Sequence, residues 1–171
     1  MKHFGLASAA LVAVASFLAI PAASAAGSPA NTSAGTRSVT QAAAPASEYG
    51  QQAVAGTPPS FGTGDCVSTS GATACFEKYG DKIWIKATAS RSDILAMWEN
   101  YLRDNSGSWG DFPYREGSCE NHLGSGHWGY CNKDFYEDST DPNANGGQGS
   151  GIRLWACAAQ CAGYIWIRNN G

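Results

Sequence analysis

The sequence predicts a single small all-β domain, a sandwich or partly closed barrel of short antiparallel strands held together by disulfides, behind a disordered N-terminal tail. Two observations predict this fold. All six Cys and all six Trp of the 171 residues lie after Gly64. In the same part of the chain, short stretches that alternate between apolar and polar residues are separated by turns rich in Gly, Asn and Asp.

Residues 1–26 have the features of a secretory signal peptide. Lys2 precedes an apolar stretch at residues 6–20, and the small residues Ala23 and Ala25 fit the cleavage site. An apolar run of about 15 residues is short for a transmembrane helix, which needs about 20. We therefore expect a secreted, extracellular protein without a membrane span, folded in an oxidising compartment.

Residues 27–64 consist mainly of Ala, Ser, Thr, Gly, Pro and Gln. Because this segment has too little apolar bulk to bury a core, its composition predicts a disordered linker or a propeptide. The composition changes at Asp65 and Cys66, and we place the disulfide-bonded β domain at residues 65–171.

The stretch from Cys66 to Cys75 is symmetric about Ser70 and Gly71, a dipeptide suited to a two-residue hairpin turn. Folding the chain at this turn places Cys66 opposite Cys75 in a pair that is not hydrogen-bonded. The Cα atoms of such a pair lie about 4.5 Å apart, a distance that a disulfide accepts. The pattern therefore predicts a Cys66–Cys75 disulfide.

Alternation predicts the strands that follow. After a turn at 79–81, Ile83, Ile85 and Ala87 share one face of a strand. Near the C-terminus, the same alternation gives two strands, at 152–156 and 164–168.

Residues 93–102 leave two alternatives open. Their apolar residues fit helical spacing, and Ala, Met, Glu and Leu favour a helix, so the residues alone indicate helix and strand equally. Residues 105–110 and 138–151 are dominated by Gly, Asp and Asn, which predicts long surface loops.

Three stretches form one pattern over about residues 66–137: 74–76 with 80–85, then 115–121, then 124–132. Its most specific element is Cys119 with Asn121, followed by Gly, Trp and Cys131-Asn132. This pattern resembles a group of small secreted, disulfide-bonded proteins of soil actinobacteria that have no established function. The resemblance implies a compact β domain in which residues 93–102 form a strand.

A close set of residues has the types and spacing of a zinc site: Cys119, His122, His127 and Cys131. The alternative is a Cys119–Cys131 disulfide with two surface histidines. Secretion favours the disulfide, because exported thiols normally oxidise. A Cys157–Cys161 disulfide then follows by elimination, and we expect neither a metal nor a cofactor.

Residues 141–146 match the first half of a calcium-binding loop, with oxygen side chains at alternate positions and a final glycine. Ile152 stands at the twelfth position, where an EF-hand needs a glutamate, so an EF-hand is excluded. A looser calcium site and a solvated acidic turn are the two alternatives for one set of carboxylates: Asp134, Glu137, Asp138 and Asp141.

The six Trp and seven Tyr exceed what a small core easily hides. We assign most of them to the core and to the cover of the disulfides. Trp109 differs, because it lies in a polar, Gly-containing stretch with no apolar neighbour before Phe112. Together with Tyr114 it is predicted to form an exposed aromatic platform, a surface that stacks on sugar rings or anchors a protein partner.

The net charge of −3 gives no electrostatic basis for binding nucleic acid. A glycosidase would need two carboxylates at a defined separation, which the sequence does not set. Its candidates are Glu116, Glu120, Glu137 and Asp138. We therefore expect a monomeric, non-catalytic binding module for polysaccharide or cell-envelope glycan. The first alternative is a protein-directed inhibitor or antagonistic factor, and the second is a small secreted hydrolase.

Overall fold

The computed structural model describes residues 48–138 and 141–171. The predicted signal peptide, and the predicted linker up to residue 47, lie outside the described residues. The described part consists of ten strands in two five-stranded sheets, and it contains no helix. Both sheets are open rather than closed into a barrel. The prediction of an all-β fold is thus confirmed, in its sandwich form.

Five strands form sheet A, in this spatial order: β1 (Glu48–Gln52), β7 (Arg115–Glu120), β6 (Leu95–Asp104), β9 (Gly146–Cys157) and β10 (Ile165–Asn169). Five form sheet B: β2 (Val54–Ala55), β8 (Trp128–Asn132), β5 (Lys82–Ala87), β4 (Ala72–Glu77) and β3 (Cys66–Ser68). Neighbouring strands are antiparallel, except that β1 runs parallel to β7.

The core lies between the sheets, because alternation turns every second side chain of each central strand inward. In sheet B, Ile83 and Ile85 are fully buried. In sheet A, Ile152 and Leu154 are fully buried and face them across the same core. Trp98 adds the largest buried side chain. The predicted inward faces are therefore confirmed.

The predicted first hairpin is confirmed in its register. Cys66 lies opposite Cys75, the turn closes with the Thr69 amide donating to the Ala72 carbonyl at 2.9 Å, and the two cysteines form a disulfide with Cα atoms 4.1 Å apart. Within the ambiguous segment 93–102, residues 95–102 lie in strand β6, which begins at Leu95. The resemblance, rather than the helical spacing, indicated the correct state.

The structure differs from the predicted linker at residues 48–55, which form strands β1 and β2. Strand β1 pairs with β7 on sheet A, Ala53 crosses between the sheets with its amide donating to the Glu120 carbonyl at 2.8 Å, and β2 then pairs with β8 on sheet B. Edge strands are held by backbone pairing and do not need the apolar side chains that composition detects. Two ion pairs add to this attachment, because Glu48 contacts both Arg115 and Lys133, the latter at 2.8 Å.

The prediction of a surface loop over 138–151 also needs correction, because β9 already begins at Gly146. Glycine permits this pairing, since a Cβ atom at Gly147 would lie 2.2 Å from the Asp104 carbonyl oxygen. Asn143 is buried and fixes the loop from inside by donating to the carbonyls of Arg103 and Gly149.

All three predicted disulfides are present, as Cys66–Cys75, Cys119–Cys131 and Cys157–Cys161. The second joins β7 of sheet A to β8 of sheet B and therefore ties the two sheets together. Three disulfides are consistent with an oxidising environment. Within residues 48–138 and 141–171, no helix has the length and apolar character needed to cross a membrane.

Candidate functional site

The outer face of sheet A carries aromatic side chains where alternation would normally place polar ones. They come from β6, β9, β10 and the loops next to them. We call this group the aromatic face: Tyr101, Trp109, Trp155, Tyr164 and Trp166, with Arg153 among them. Its rings form two groups: Tyr101 and Trp109 both contact Trp166, at centroid distances of 5.5 and 5.0 Å, and Trp155 contacts Tyr164.

Arg153 lies at the centre of the aromatic face. Its guanidinium is 4.6 Å from the Tyr101 ring centroid, 5.1 Å from that of Tyr164 and 5.9 Å from that of Trp166. Its Nη1 also donates to the Tyr101 hydroxyl at 2.8 Å. Cation–π contacts of this kind hold an arginine in one orientation. The side chain remains 37% exposed, although its Nε is buried without a hydrogen-bond partner.

Glu99 joins this cluster from strand β6. The Tyr101 hydroxyl donates to Glu99 Oε2 at 2.7 Å, and Arg153 Nη1 lies 3.5 Å from the same oxygen. Burial and the hydrogen bond to Glu99 together raise the pKa of Tyr101 to about 12. Tyr101 is therefore a neutral hydroxyl at physiological pH, and it fixes the Glu99 carboxylate beside the arginine.

Trp166 is oriented by a glycine on the neighbouring strand. It lies over Gly151, where a Cβ atom would be 2.3 Å from Cζ2 of the indole. The ring consequently rests on the sheet, and 38% of the residue is exposed. Trp109 stands against it edge-on, at an interplanar angle of 73°. A flat indole with fixed neighbours is a preorganised stacking surface.

The two predicted platform residues belong to different aromatic pairs. Trp109 is half-buried, contacts Trp166 and lies under the Arg103 guanidinium, 5.4 Å from its ring centroid. Tyr114 contacts Tyr136 at 6.1 Å and lines a separate depression of about 220 Å³. The structure therefore joins Trp109 to an aromatic surface other than the one expected.

The sequence contained a signal for the residues that the platform prediction missed. Alternation placed Arg153 and Trp155 on the face opposite the core residues of the same strand, and Trp166 likewise. Their meeting depends on the order β6, β9, β10, which pairs Glu99 with Arg153 and Arg153 with Trp166. That order is a long-range property, and alternation within one strand does not reveal it.

Three of the four candidate carboxylates have identified neighbours. Glu116 lies directly opposite Glu99 in the β6–β7 ladder, and burial together with Glu116 raises the pKa of the neighbouring Tyr49. Glu120 accepts a hydrogen bond from Gln52 at 3.1 Å, and Asp138 forms an ion pair with Arg168. Like charges directly opposite one another destabilise a sheet, so the pairing of Glu99 with Glu116 reduces the stability of the fold.

The metal alternatives gain no support. Cys119 and Cys131 form a disulfide, so the zinc alternative, with its set of two Cys and two His, has no thiolate ligand. Asp138 is used by Arg168. Among the residues that the structure describes, no group of three or more His, Cys, Asp or Glu side chains could hold a metal ion.

A polar cleft of about 520 Å³ lies beside the aromatic face. Arg103 lines it and also covers the Trp109 ring, while Arg168 and Asp138 line it as an ion pair. Asp104 belongs to the same lining, but its Oδ1 accepts the amides of Ser106 and Ser108 and so holds the adjoining turn.

The fold and this face define a class: a disulfide-bonded β-sandwich with an aromatic, arginine-centred surface on one sheet. Comparison of the chain with models of known protein families, with curated proteins and with solved structures found no match. Its function must therefore be inferred from the surface itself.

Proposed function

We propose that this protein is a secreted, non-catalytic binding module for polysaccharide or cell-envelope glycan, and that the aromatic face is its binding site. One observation carries the proposal, namely the position of Trp166. The indole lies over Gly151 with more than a third of the residue exposed, between Trp109 and Arg153. A sugar ring presents a C–H face of similar size, which packs on a flat indole without any movement of the protein.

The polar groups around Trp166 can form hydrogen bonds with the hydroxyl groups of a sugar. Sugar hydroxyls need both donors and acceptors at the edge of a stacking ring. Arg153 supplies donors, and Glu99, 3.5 Å from the Arg153 guanidinium, supplies acceptors. Tyr164 is 53% exposed and extends the aromatic surface beyond Trp155, which its ring contacts at 5.4 Å. The face can therefore contact more than one sugar unit of a chain.

Two observations support the proposed location outside the cell. The leader at residues 1–26 has the composition of a signal peptide. All six cysteines are paired in disulfides, as an oxidising compartment allows.

The test is a pull-down of the purified domain on insoluble chitin, cellulose, xylan and peptidoglycan. We expect retention on at least one matrix and its loss in Trp166→Ala. Phe112→Ala is the matched control, because Phe112 is 83% exposed and lies outside the aromatic face, so this variant should be retained like the wild type. Absence of retention on every matrix, or equal retention of Trp166→Ala, would contradict the proposal.

A protein-directed role as an inhibitor or antagonistic factor is the second candidate. The observation that favours it is the residue set itself, because Trp, Tyr and Arg dominate the energetic centres of protein interfaces. Arg153 contacts three aromatic rings, as such centres often do. The same pull-down separates the two roles, since a protein-directed factor is not retained by polysaccharide.

A further inference from the structure

A second aromatic cluster lies on the outer face of sheet B. We call it the sheet-B stack: Trp84 on β5 with Trp128 and Tyr130 on β8. The Trp84 ring centroid is 4.8 Å from that of Tyr130 and 6.5 Å from that of Trp128. Trp84 Nε1 donates to Glu77 at 2.7 Å, so the indole N–H needs no further partner. Lys86 stands over the Trp128 ring at 5.7 Å.

The sheet-B stack is covered by residues 56–61 of the same chain. A Cβ atom at Gly56 would lie 3.0 Å from both the Trp84 and the Tyr130 rings, so the backbone itself rests on them. Phe61 then contacts the Trp128 ring at 6.0 Å. As a result Trp84 is only 3% exposed, although it lies on the outer side of its sheet.

Residues 56–61 are held firmly at both ends and weakly between them. On one side, β2 pairs with β8. On the other, the Asp65 carboxylate forms an ion pair with Lys78 at 3.0 Å, and the Asp65 backbone carbonyl accepts the Phe76 amide at 2.9 Å.

Between these anchors, the Gly56 amide donates to the Trp128 carbonyl at 3.3 Å. Within residues 57–61, all of which the structure describes, no hydrogen bond or ion pair to sheet B is made, and Thr57, Pro59 and Ser60 are exposed. A segment fixed at two ends with few bonds between them has the construction of a lid.

We propose that residues 56–61 are a lid over a second saccharide-binding site, formed by the sheet-B stack with Lys86 at its rim. The ligand class rests on the proposed function, because both faces offer stacked indole and phenol rings beside a cation. The proposal of a lid depends only on the contacts of residues 56–61 and not on the proposed function. While the lid is closed, the apparent affinity of this site is reduced by the fraction of molecules in which the lid is open.

The test opens the lid in protein whose first site is disabled. Gly56→Val places a side chain against the Trp84 and Tyr130 rings, and Phe61→Ala removes the contact with Trp128 without adding bulk. Gly163→Val and Phe112→Ala are the matched controls, since Gly163 has open space around it and Phe112 is exposed. Each substitution is made in Trp166→Ala, and acrylamide quenching of tryptophan fluorescence and retention on the same four polysaccharides are measured.

We expect both lid variants to show stronger quenching than Trp166→Ala, and at least one polysaccharide to bind them about tenfold more tightly, as expected if the lid is closed about 90% of the time. The controls should change neither property. Unchanged quenching in both lid variants would show that residues 56–61 are a fixed part of the sandwich. Stronger quenching without any gain in binding would overturn the second site.

The outcomes for the two proposals differ. If Trp166→Ala binds like the wild type while the lid variants bind more tightly, the aromatic face fails as the binding site and the lid proposal stands. If Trp166→Ala loses binding and open-lid variants do not recover it, the aromatic face stands and the second site fails.

Discussion

The Trp166 indole occupies the space above Gly151 on the neighbouring strand, and a Cβ atom at position 151 would lie 2.3 Å from its Cζ2. Gly151 sits opposite Tyr101 on one side and Arg168 on the other, within regular strand pairing. An indole above a strand glycine covers backbone that would otherwise be open to water. The same contact fixes the ring plane on which the proposed sugar stacking depends.

Gly151→Ala should displace Trp166 and weaken binding nearly as much as Trp166→Ala. The added methyl group cannot fit under the ring, so we also expect a loss of about 1–3 kcal/mol in the free energy of unfolding. Urea unfolding and the polysaccharide pull-down measure the two effects. Gly163→Ala is the control, because nothing lies within 4 Å of a Cβ atom there. Full retention of Gly151→Ala would show that the position of Trp166 is not needed.

Local features of the fold were predictable from the sequence. The register that pairs Cys66 with Cys75 follows from ten residues and one turn, and the burial of Ile83 and Ile85 follows from alternation within one strand. Such features depend on neighbours in the chain. They were predicted correctly because no distant segment had to be placed.

The aromatic face was not predictable in this way. Trp109 and Trp166 are far apart in the chain and meet because β9 and β10 follow β6 in the sheet order. Residues 48–55 were missed for a related reason, since their strands pair through the backbone at sheet edges. Polar composition predicts that a segment has no core of its own, but it does not exclude pairing with the edge of another core.

Glu48→Gln should destabilise the protein and thereby test the assignment of residues 48–55 to the domain. The Glu48 carboxylate contacts Lys133 at 2.8 Å and accepts a hydrogen bond from Arg115 Nε at 2.9 Å. The Lys133 side chain is 1% exposed, so it would lose its carboxylate partner in a buried position. Since Glu48 itself is partly exposed, we expect a loss of about 2 kcal/mol by chemical denaturation.

The control for this substitution is Asp93→Asn, which removes the carboxylate from the exposed ion pair with Arg91. This pair is screened by water, and the variant should unfold like the wild type. Equal stability of Glu48→Gln and wild type would show that the Glu48 carboxylate does not contribute to holding β1 on the domain.

Asp81 should make the protein more stable as the pH falls from 7 to about 4.5. Burial raises the pKa of Asp81 to about 6, although the Phe135 amide and Asn169 donate to its carboxylate. Because this pKa is higher in the folded than in the unfolded chain, the stability contributed by protonation is complete below the unfolded pKa and is lost as the pH rises through 6. The difference amounts to about 3 kcal/mol at most.

Urea midpoints measured across this range test the prediction, with Asp81→Asn as the comparison. Asparagine tolerates the positive φ of 52° at this position and does not titrate, so the slope between pH 4.5 and 7 should flatten in the variant. Below that window Glu48 has the opposite effect, and the stability that it contributes is lost as the pH falls. Burial raises the pKa of Glu48, but Lys133 and Arg115 lower it by more, so its pKa in the folded protein is below the usual value. A wild-type midpoint that rises with pH across the window would contradict the assignment.

The three disulfides should differ in their contributions to stability, with Cys119–Cys131 contributing more than Cys157–Cys161. The first spans a sequence separation of 12 residues and joins the two sheets, whereas the second spans 4 and joins the end of β9 to the turn that follows it. Loop entropy alone gives about 3 and about 2 kcal/mol. Removal of Cys119 and Cys131, which are 0% and 1% exposed, also leaves a cavity in the core.

The paired variants Cys119→Ala/Cys131→Ala and Cys157→Ala/Cys161→Ala, compared by urea unfolding without reductant, measure this difference. The second pair closes the turn between Trp155 and Tyr164, so its removal should loosen those two rings and weaken glycan binding with a small loss of stability. The first pair should do the reverse, with a large loss of stability and binding unchanged in the molecules that remain folded. Equal losses of stability in the two variants would show that the Cys119–Cys131 link between the sheets stabilises the fold no more than Cys157–Cys161 does.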